Sequence, residues 1–484
     1  MIVNRPTHFR RSRAMAVNSD LCYQTAYSLS KLIRAKEVSP VELFQAYLDR
    51  IGTTDTVLNS FISYPGEEAL ESAKLAEREI LSGHYRGPLH GIPIGLKDLF
   101  YVKGLKNTAG SKIFDTFIPP YDSTVTTLLR AAGAVLMGKL NLHQFAFGPT
   151  GLNEYYGDMH NPWDVERLAG GSSGGSGSAV ASGQLPLAIG TDTGGSVRIP
   201  AALCGITGLK PTYGRISRHG VVPLAWSFDH IGPMTRDVWD SAIMLDVLAG
   251  RDANDSSSSA MPVGHYVESL TGDVKGLRLG VPKEYFELPL DPAIEKAIKD
   301  AIEVFNGLGA QIKEVTWPIY HHSANISTPM IYAEAAEYHR DLLMKHAHQY
   351  DPSIRWRVET GLFISASDYL NASRARAKYT TESLALFDEV DLLVGPTIPV
   401  IAPKINEDQV MINQQIMGVI PALTQYTRAF NLTGFPALTV PCGFSQGMPV
   451  GMQLAGRPFE EARILNAGYA YQRVTDWHKR RPVV

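Results

Sequence analysis

The 484-residue sequence has only three cysteines, Cys22, Cys204 and Cys442, an odd number with no CxxC pair. That scarcity signals neither a disulfide framework nor a zinc site, so a reducing, cytoplasmic setting is expected. Long apolar runs are also missing: no window reaches the roughly 18 apolar residues of a membrane helix. The stretch after the basic cluster Arg10, Arg11 and Arg13 is too short and polar for the apolar core of a signal peptide. Positive charge is not in surplus either, with 45 Lys and Arg against 48 Asp and Glu and a formal net charge of -3. Such a chain has no basic field to draw phosphate backbones, so neither nucleic acid nor a membrane is the expected partner, and a small molecule fits better. No internal repeat is visible. With 44% hydrophobic and 19% charged residues, the chain is globular and long enough for a large core.

What is present alternates between helical and strand patterns. Ser39, Pro40 and Glu42 make a capping box with proline at the first helical position, opening a helix through "VELFQAYLDRI". "GIPIGLKDLF" (91–100) reads as a short buried strand with a polar end at Lys97 and Asp98, and "DSTVTTLLRAAGAVLMG" reads as a helix, a glycine stop at Gly133 and a strand. "LPLAIGTD" (185–192), "LRLGVP" and "DLLVGPT" are apolar runs of strand length. The pattern over 291–315 places Ile294, Ile298, Ile302 and Phe305 on one helical face before another glycine stop. "FPALTVPCGF" followed by "MPVGMQLAGRP" predicts a hairpin. The expected fold class is α/β, a single domain over residues 25–475 with a mixed, mostly parallel, twisted sheet covered by helices on both faces. An N-terminal arm (1–24) and a C-terminal tail (476–484) flank it. The one linker-like stretch, "RDANDSSSSAMP" (251–262), is expected to be a surface loop because periodic structure resumes directly after it.

The segment from Gly170 to Pro200, "GGSSGGSGSAVASGQLPLAIGTDTGGSVRIP", has the composition of a flexible linker. Its context argues otherwise, since apolar strand-like runs sit on either side of its glycine pairs. Paired glycines permit positive φ and close backbone approach, and the N–H groups of such a turn can converge on an anion or a polarised carbonyl oxygen. Three chemistries compete. A phosphate loop requires a lysine that "GGSSGGSGS" lacks. Gly171-Ser172-Ser173-Gly174-Gly175 satisfies G-x-S-x-G, but a nucleophile elbow must follow a hydrophobic strand and "NPWDVERLAG" is not one. The third reading pairs two serines with Lys97. A serine hydroxyl needs an adjacent base to attack an amide, and a lysine becomes that base only when burial lowers its pKa from about 10.4.

At this point "GIPIGLKD", "NPWD", the whole glycine-serine segment through "GLKPTYGRISRHG", and "SFDHIGPMTR" together resemble the amidase signature family. Weaker similarity spans residues 25–475. The resemblance implies a hydrolase of C–N bonds in amides, carbamates, ureas or anilides, working through an acyl-enzyme, without cofactor or metal, on a small amide-like substrate. Carried over residue by residue, it makes Ser196 the nucleophile, Ser172 the bridging residue after a cis Gly171–Ser172 bond, and Lys97 the base. It assigns the oxyanion hole to the backbone N–H groups of Thr193, Gly194, Gly195 and Ser196, and substrate contacts to Phe147, Tyr155, Tyr156 and Ser173. A homodimer is admitted as an assembly.

Other residues take plainer roles. Asp192 and Arg198 are expected to hold the loop by ion pairing, Cys204 to be a small buried hydrophobe, and His339, His346 and His348 to lie on a helix surface rather than bind metal. The alternative within the family is the glutaminase subunit of a tRNA-dependent amidotransferase, which holds glutamine by an arginine and an aspartate. Those two places fall here on Ala377, with Arg374 and Arg376 close by, and on Thr424, fixed by its distance from Asn431. "IYAEAAEYHRDLL" and "ISASDYLNASRARAKY" instead resemble the stand-alone amidases. A scaffold of the same fold without activity is the non-enzymatic alternative, and the joint presence of Lys97, Ser172 and Ser196 argues against it.

Overall fold

The computed structural model describes residues 20–64 and 66–484, so most of the expected N-terminal arm, residues 1–19, lies outside the described residues. Local chemistry sets the elements. Ser39 Oγ accepts the N–H of Glu42 at 3.0 Å while the Glu42 carboxylate accepts the N–H of Ser39 at 3.1 Å, the capping box that starts the helix Pro40–Leu58. The helix Pro292–Gly307 buries Ile294, Ile298, Ile302 and Phe305 and packs that face on the sheet.

Eleven strands form the main sheet. They are β1 (Phe61–Ser63), β2 (Pro93–Lys97), β3 (Val135–Leu140), β4 (Leu187–Asp192), β5 (Thr207–Lys210), β6 (His230–Thr235), β7 (Arg278–Pro282), β8 (Gln311–Val315), β9 (Leu392–Pro396), β10 (Ala437–Ser445) and β11 (Met448–Gly456). Their spatial order is β1-β3-β2-β4-β6-β5-β10-β11-β9-β7-β8. Every residue of β2, β4, β6, β9 and β11 is buried. Successive side chains of a strand point to opposite faces, so both faces of the sheet are covered, as expected of an α/β domain.

The sheet is mixed, but in proportion it departs from the mostly parallel expectation. Parallel pairing is confined to two groups, β3-β2-β4 and β9-β7-β8, and the other six neighbour pairs are antiparallel. The hairpin of β10 and β11, antiparallel to both of its outer neighbours, accounts for three of these pairs, and β6, antiparallel to both β4 and β5, and β1, antiparallel to β3, account for the rest. The hairpin's two connecting residues, Gln446 (φ 50°) and Gly447 (φ 78°), are both left-handed, which suits a tight turn whose twist matches the strands. The segment 251–262 is a loop tied to the body through Asp252, which accepts from Ser217 Oγ at 2.6 Å, and Asp255, which accepts from the N–H of Arg218 at 2.8 Å.

The glycine-serine segment is no linker. Residues Gly174–Ala181 form a helix buried at every position, followed by β4 and then the helix Arg198–Cys204. Glycine is required where that first helix passes the backbone: a Cβ on Gly175 would stand 2.4 Å from the carbonyl oxygen of Ser60 and 2.6 Å from that of Asn141. Because β2 and β4 are parallel neighbours, with Leu96 opposite Ile189, their C-terminal residues Lys97 and Asp192 emerge on one edge of the sheet. Crevices beyond the carboxyl ends of parallel strands are where α/β folds bind ligands.

Candidate active site

Lys97 ends β2 fully buried, with Nζ 2.7 Å from Ser172 Oγ and 2.8 Å from Thr191 Oγ1. Burial pushes its pKa down from 10.5 to about 7, and the carboxylates of Asp229 and Asp192 offset part of that fall. An ammonium among two hydroxyls and apolar walls is poorly solvated, whereas a neutral amine can donate to Thr191 and accept from Ser172. The Gly171–Ser172 peptide bond is cis. Ser172 is buried, and its carbonyl accepts the N–H of His143 at 3.1 Å. His143 is itself kept neutral, its pKa pushed down to about 3 by burial and by Arg357.

Ser196 stands on the loop between β4 and the helix Arg198–Cys204, and it is 7% exposed. Among the described residues no hydrogen bond joins its hydroxyl to Ser172 Oγ; its carbonyl accepts the N–H of Ser173 at 3.3 Å. The loop is fixed from beneath by Asp192, whose carboxylate accepts the N–H of Gly195 at 2.8 Å and of Val197 at 3.2 Å and pairs with Arg198 at 3.0 Å. Burial alone would raise the Asp192 pKa, but the charge and hydrogen bonds of Arg198 hold it well below the usual carboxylate range. Arg198 is in turn shared with Asn431 at 2.7 Å and Gln453 at 2.7 Å. Asp192 and Arg198 thus form the pair the sequence predicts, both side chains completely buried.

Gly195 has φ 130°, and a Cβ there would meet Thr427 Oγ1 at 2.3 Å, so only glycine fits the turn. Its N–H is taken by Asp192, which separates it from the other three groups assigned to the oxyanion hole. Among the described residues the N–H groups of Thr193, Gly194 and Ser196 meet no protein acceptor. Thr193 is anchored by its hydroxyl to Asp229 at 2.6 Å.

Thr193, Gly194 and Ser196 open onto a cavity of about 80 Å³. Phe147 lines it. Tyr155, Tyr156 and Ser173 do not. The tyrosines are turned away because Asn153 Oδ1 accepts both of their N–H groups, leaving Tyr155 43% exposed and Tyr156 bonded to Asp115 at 2.9 Å. Ser173 is consumed in packing, with Oγ donating to the carbonyl of Thr191 at 3.2 Å.

Cys204 is buried, its thiol donating to the carbonyl of Ala169, and burial pushes its pKa far up, so no thiolate forms there. His339 departs from the expected helix surface: it is buried, with Nδ1 2.9 Å from the Tyr350 hydroxyl. Thr424 lines the cavity, whereas Ala377 is exposed and does not. Its neighbour Arg376 donates to the carbonyl of Leu432 at 2.7 Å and to Ser227 Oγ at 2.9 Å.

Sequence reasoning missed Thr191, whose hydroxyl holds Lys97, although it lies two residues before Thr193 in "TDTGGS". It also missed Arg357 and Arg428, which line the cavity from distant segments. No motif marks them.

The family model described as Amidase matches residues 42–465. The A-subunit of glutamyl-tRNA(Gln) amidotransferase from Chloroflexus aggregans is 42% identical, over 96% of this chain and 99% of its own length. Among solved structures, one reported as a vestigial protein complex that reveals the evolutionary origins of an s-triazine catabolic enzyme is 35% identical, with a TM-score of 0.90, covering 93% of this chain and 98% of its own. The corresponding A-subunit from Thermotoga maritima is 31% identical with a TM-score of 0.80, covering 94% and 96%. No helix among the described residues is long and apolar enough to cross a membrane. With a buried lysine and serine on the sheet edge, a match across most of its length and relatives aligned nearly end to end, the chain belongs to the amidase signature family of enzymes that act on C–N bonds.

Proposed function

We propose that the chain hydrolyses a small amide through an acyl-enzyme on Ser196. The observation that carries this reading is the buried Lys97, held 2.7 Å from Ser172 with its pKa lowered to about 7, beside the cavity that Ser196 enters. Ser196 Oγ attacks the carbonyl carbon while its proton passes to Ser172 and the Ser172 proton passes to the neutral Lys97 amine. The link between the two serines closes when substrate is bound, since catalytic hydrogen bonds commonly tighten only in the complex. The developing oxyanion sits against the free N–H groups of Thr193, Gly194 and Ser196. Ser172 then returns a proton to the departing nitrogen, and water releases the acid.

Two settings suit that chemistry. The relatives that are amidotransferase A-subunits favour a chain that releases ammonia from glutamine within a larger assembly, and by identity this setting has the stronger support. A stand-alone amidase is favoured by one specific observation. Thr424 stands at the place of the expected aspartate and, among the described residues, no carboxylate lines the cavity, so the α-ammonium of glutamine meets no counter-charge from them. Two measurements test the reading. Ser196→Ala should abolish release of ammonia from pentanamide and labelling by a serine-directed fluorophosphonate, with circular dichroism unchanged; persistent turnover in that variant would overturn the nucleophile. Ammonia release from glutamine, with and without added amidotransferase partner subunits, then separates the settings: turnover only with partners establishes the assembly reading.

A further inference from the structure

Among the described residues the cavity is lined by two cations and no anion. Arg428, half-buried at the start of the helix Arg428–Thr433, donates to Thr328 Oγ1 at 2.6 Å and to Thr424 Oγ1 at 3.1 Å. Arg357, buried, donates to the carbonyl oxygen of Phe147. Neither forms an ion pair among the described residues, and the cavity wall is otherwise largely apolar.

Other buried guanidinium groups differ in their partners: Arg198 pairs with Asp192, Arg215 stands against Glu461 and Arg218 against Asp255, whereas Arg236 donates to three backbone carbonyls and forms no ion pair among the described residues. A guanidinium has five N–H donors. Arg428 spends two on neutral hydroxyls, and Thr424 Oγ1 in turn donates back to the carbonyl of Ile420, which orients the pair without neutralising it. A desolvated cation without a counter-charge is costly, and a bound carboxylate supplies that charge in a planar, bidentate geometry.

Resting on the amidase reading, we propose that Arg428 is a specificity residue and that the substrate is an anionic half-amide: a carboxamide whose other end is a carboxylate, with no ammonium group. The amide end meets Ser196 and the carboxylate end meets Arg428, with Arg357 adding a second positive charge on the same wall.

Glutaramate, which is glutamine without its α-amino group, and pentanamide, in which a methyl replaces the carboxylate, are the probes. In the wild-type chain kcat/KM for glutaramate is expected to exceed that for pentanamide about 10- to 100-fold, the range for a hydrogen-bonded charge. Arg428→Gln should lower that ratio at least about tenfold, and Arg428→Lys, which keeps the charge without the fork, should fall between. Isothermal calorimetry on Ser196→Ala should show glutaramate binding more tightly than pentanamide, a comparison that needs neither turnover nor an arginine variant. Equal affinities there, or an unchanged ratio in a folded Arg428→Gln, would overturn the proposal. If neither amide is hydrolysed but calorimetry still favours glutaramate, the amidase reading fails and the anion site stands.

Discussion

Lys97→Met removes the group proposed as the base. The native lysine is fully buried, and a fall in pKa from 10.5 to about 7 corresponds to about 5 kcal/mol of bias toward the neutral amine. Two consequences carry opposite signs. For catalysis the neutral form is the competent one, so kcat/KM should rise with pH, reach half its plateau near pH 7, and stand at about a tenth of it one pH unit lower. For stability the unfolded lysine holds its proton up to its ordinary pKa while the folded one has lost it near 7. The unfolded state therefore binds more protons across that window, and stability rises with pH through it. Methionine is close in length, cannot titrate and removes the cost of burying an amine, although it leaves Ser172 and Thr191 without that partner. The variant should fold, lose about 10²- to 10⁴-fold in kcat/KM, lose the rise in rate around pH 7, and show a flatter dependence of urea stability between pH 7 and 10. A pH–rate profile unchanged in Lys97→Met would refute the assignment of the base, and an unchanged slope of stability with pH would refute the lowered pKa.

Three further outcomes are expected. Ser196→Ala should be inactive while Cys204→Ala retains turnover; the reverse, in an ammonia-release assay, would move the chemistry to the thiol. Arg198→Met leaves the buried Asp192 carboxylate without its cation, so chemical denaturation should show a loss of about 3–5 kcal/mol, and a loss under 1 kcal/mol would mean that the pair does not hold the loop. Thr424→Asp sets a carboxylate beside Arg428 and supplies a counter-charge for an α-ammonium, so kcat/KM for glutamine relative to glutaramate should rise; a ratio that does not move would show that position 424 does not read that end of the substrate.

The meeting of Lys97 with Ser172 at the candidate site was legible in the sequence because its parts are local and chemically constrained. Lys97 ends a short apolar strand, and Ser172 and Ser196 lie within thirty residues of one another in a segment whose glycines are fixed by close contacts, with backbone carbonyls at Gly175 and with the Thr427 side chain at Gly195. The hairpin was legible because two apolar runs flank a short glycine-containing turn. The order of strands was not: the pairing of β5 with β10 and of β9 with β7 depends on long-range packing that no local period reports. The pocket was the least legible part. Tyr155 and Tyr156 are near the motif in sequence, yet the side chain of Asn153 gathers their N–H groups and turns them out of the cavity. Arg357 and Arg428 carry no motif and come to line one cavity only when helices from the last third of the chain pack beside the loop at Ser196.

That division bears on what likeness to other family members can convey. The groups proposed to break the bond come from residues 97–196, anchored from below by the buried Asp192–Arg198 pair and by Asn431 and Gln453. The wall that meets the rest of the substrate comes mainly from separate segments around residues 328, 357 and 424–428, whose side chains answer to no requirement of the acyl-transfer step. A chain can therefore keep its chemistry while exchanging one wall residue, and the exchange at 424 removes a negative charge from a cavity that already holds two positive ones. An amide with both an ammonium and a carboxylate then loses one of its two electrostatic partners, whereas an amide with a carboxylate alone loses none. If Arg428 holds the substrate's carboxylate as proposed, the charge balance of the cavity wall, rather than overall identity, selects among amides, and Arg428 is the residue on which that selection turns.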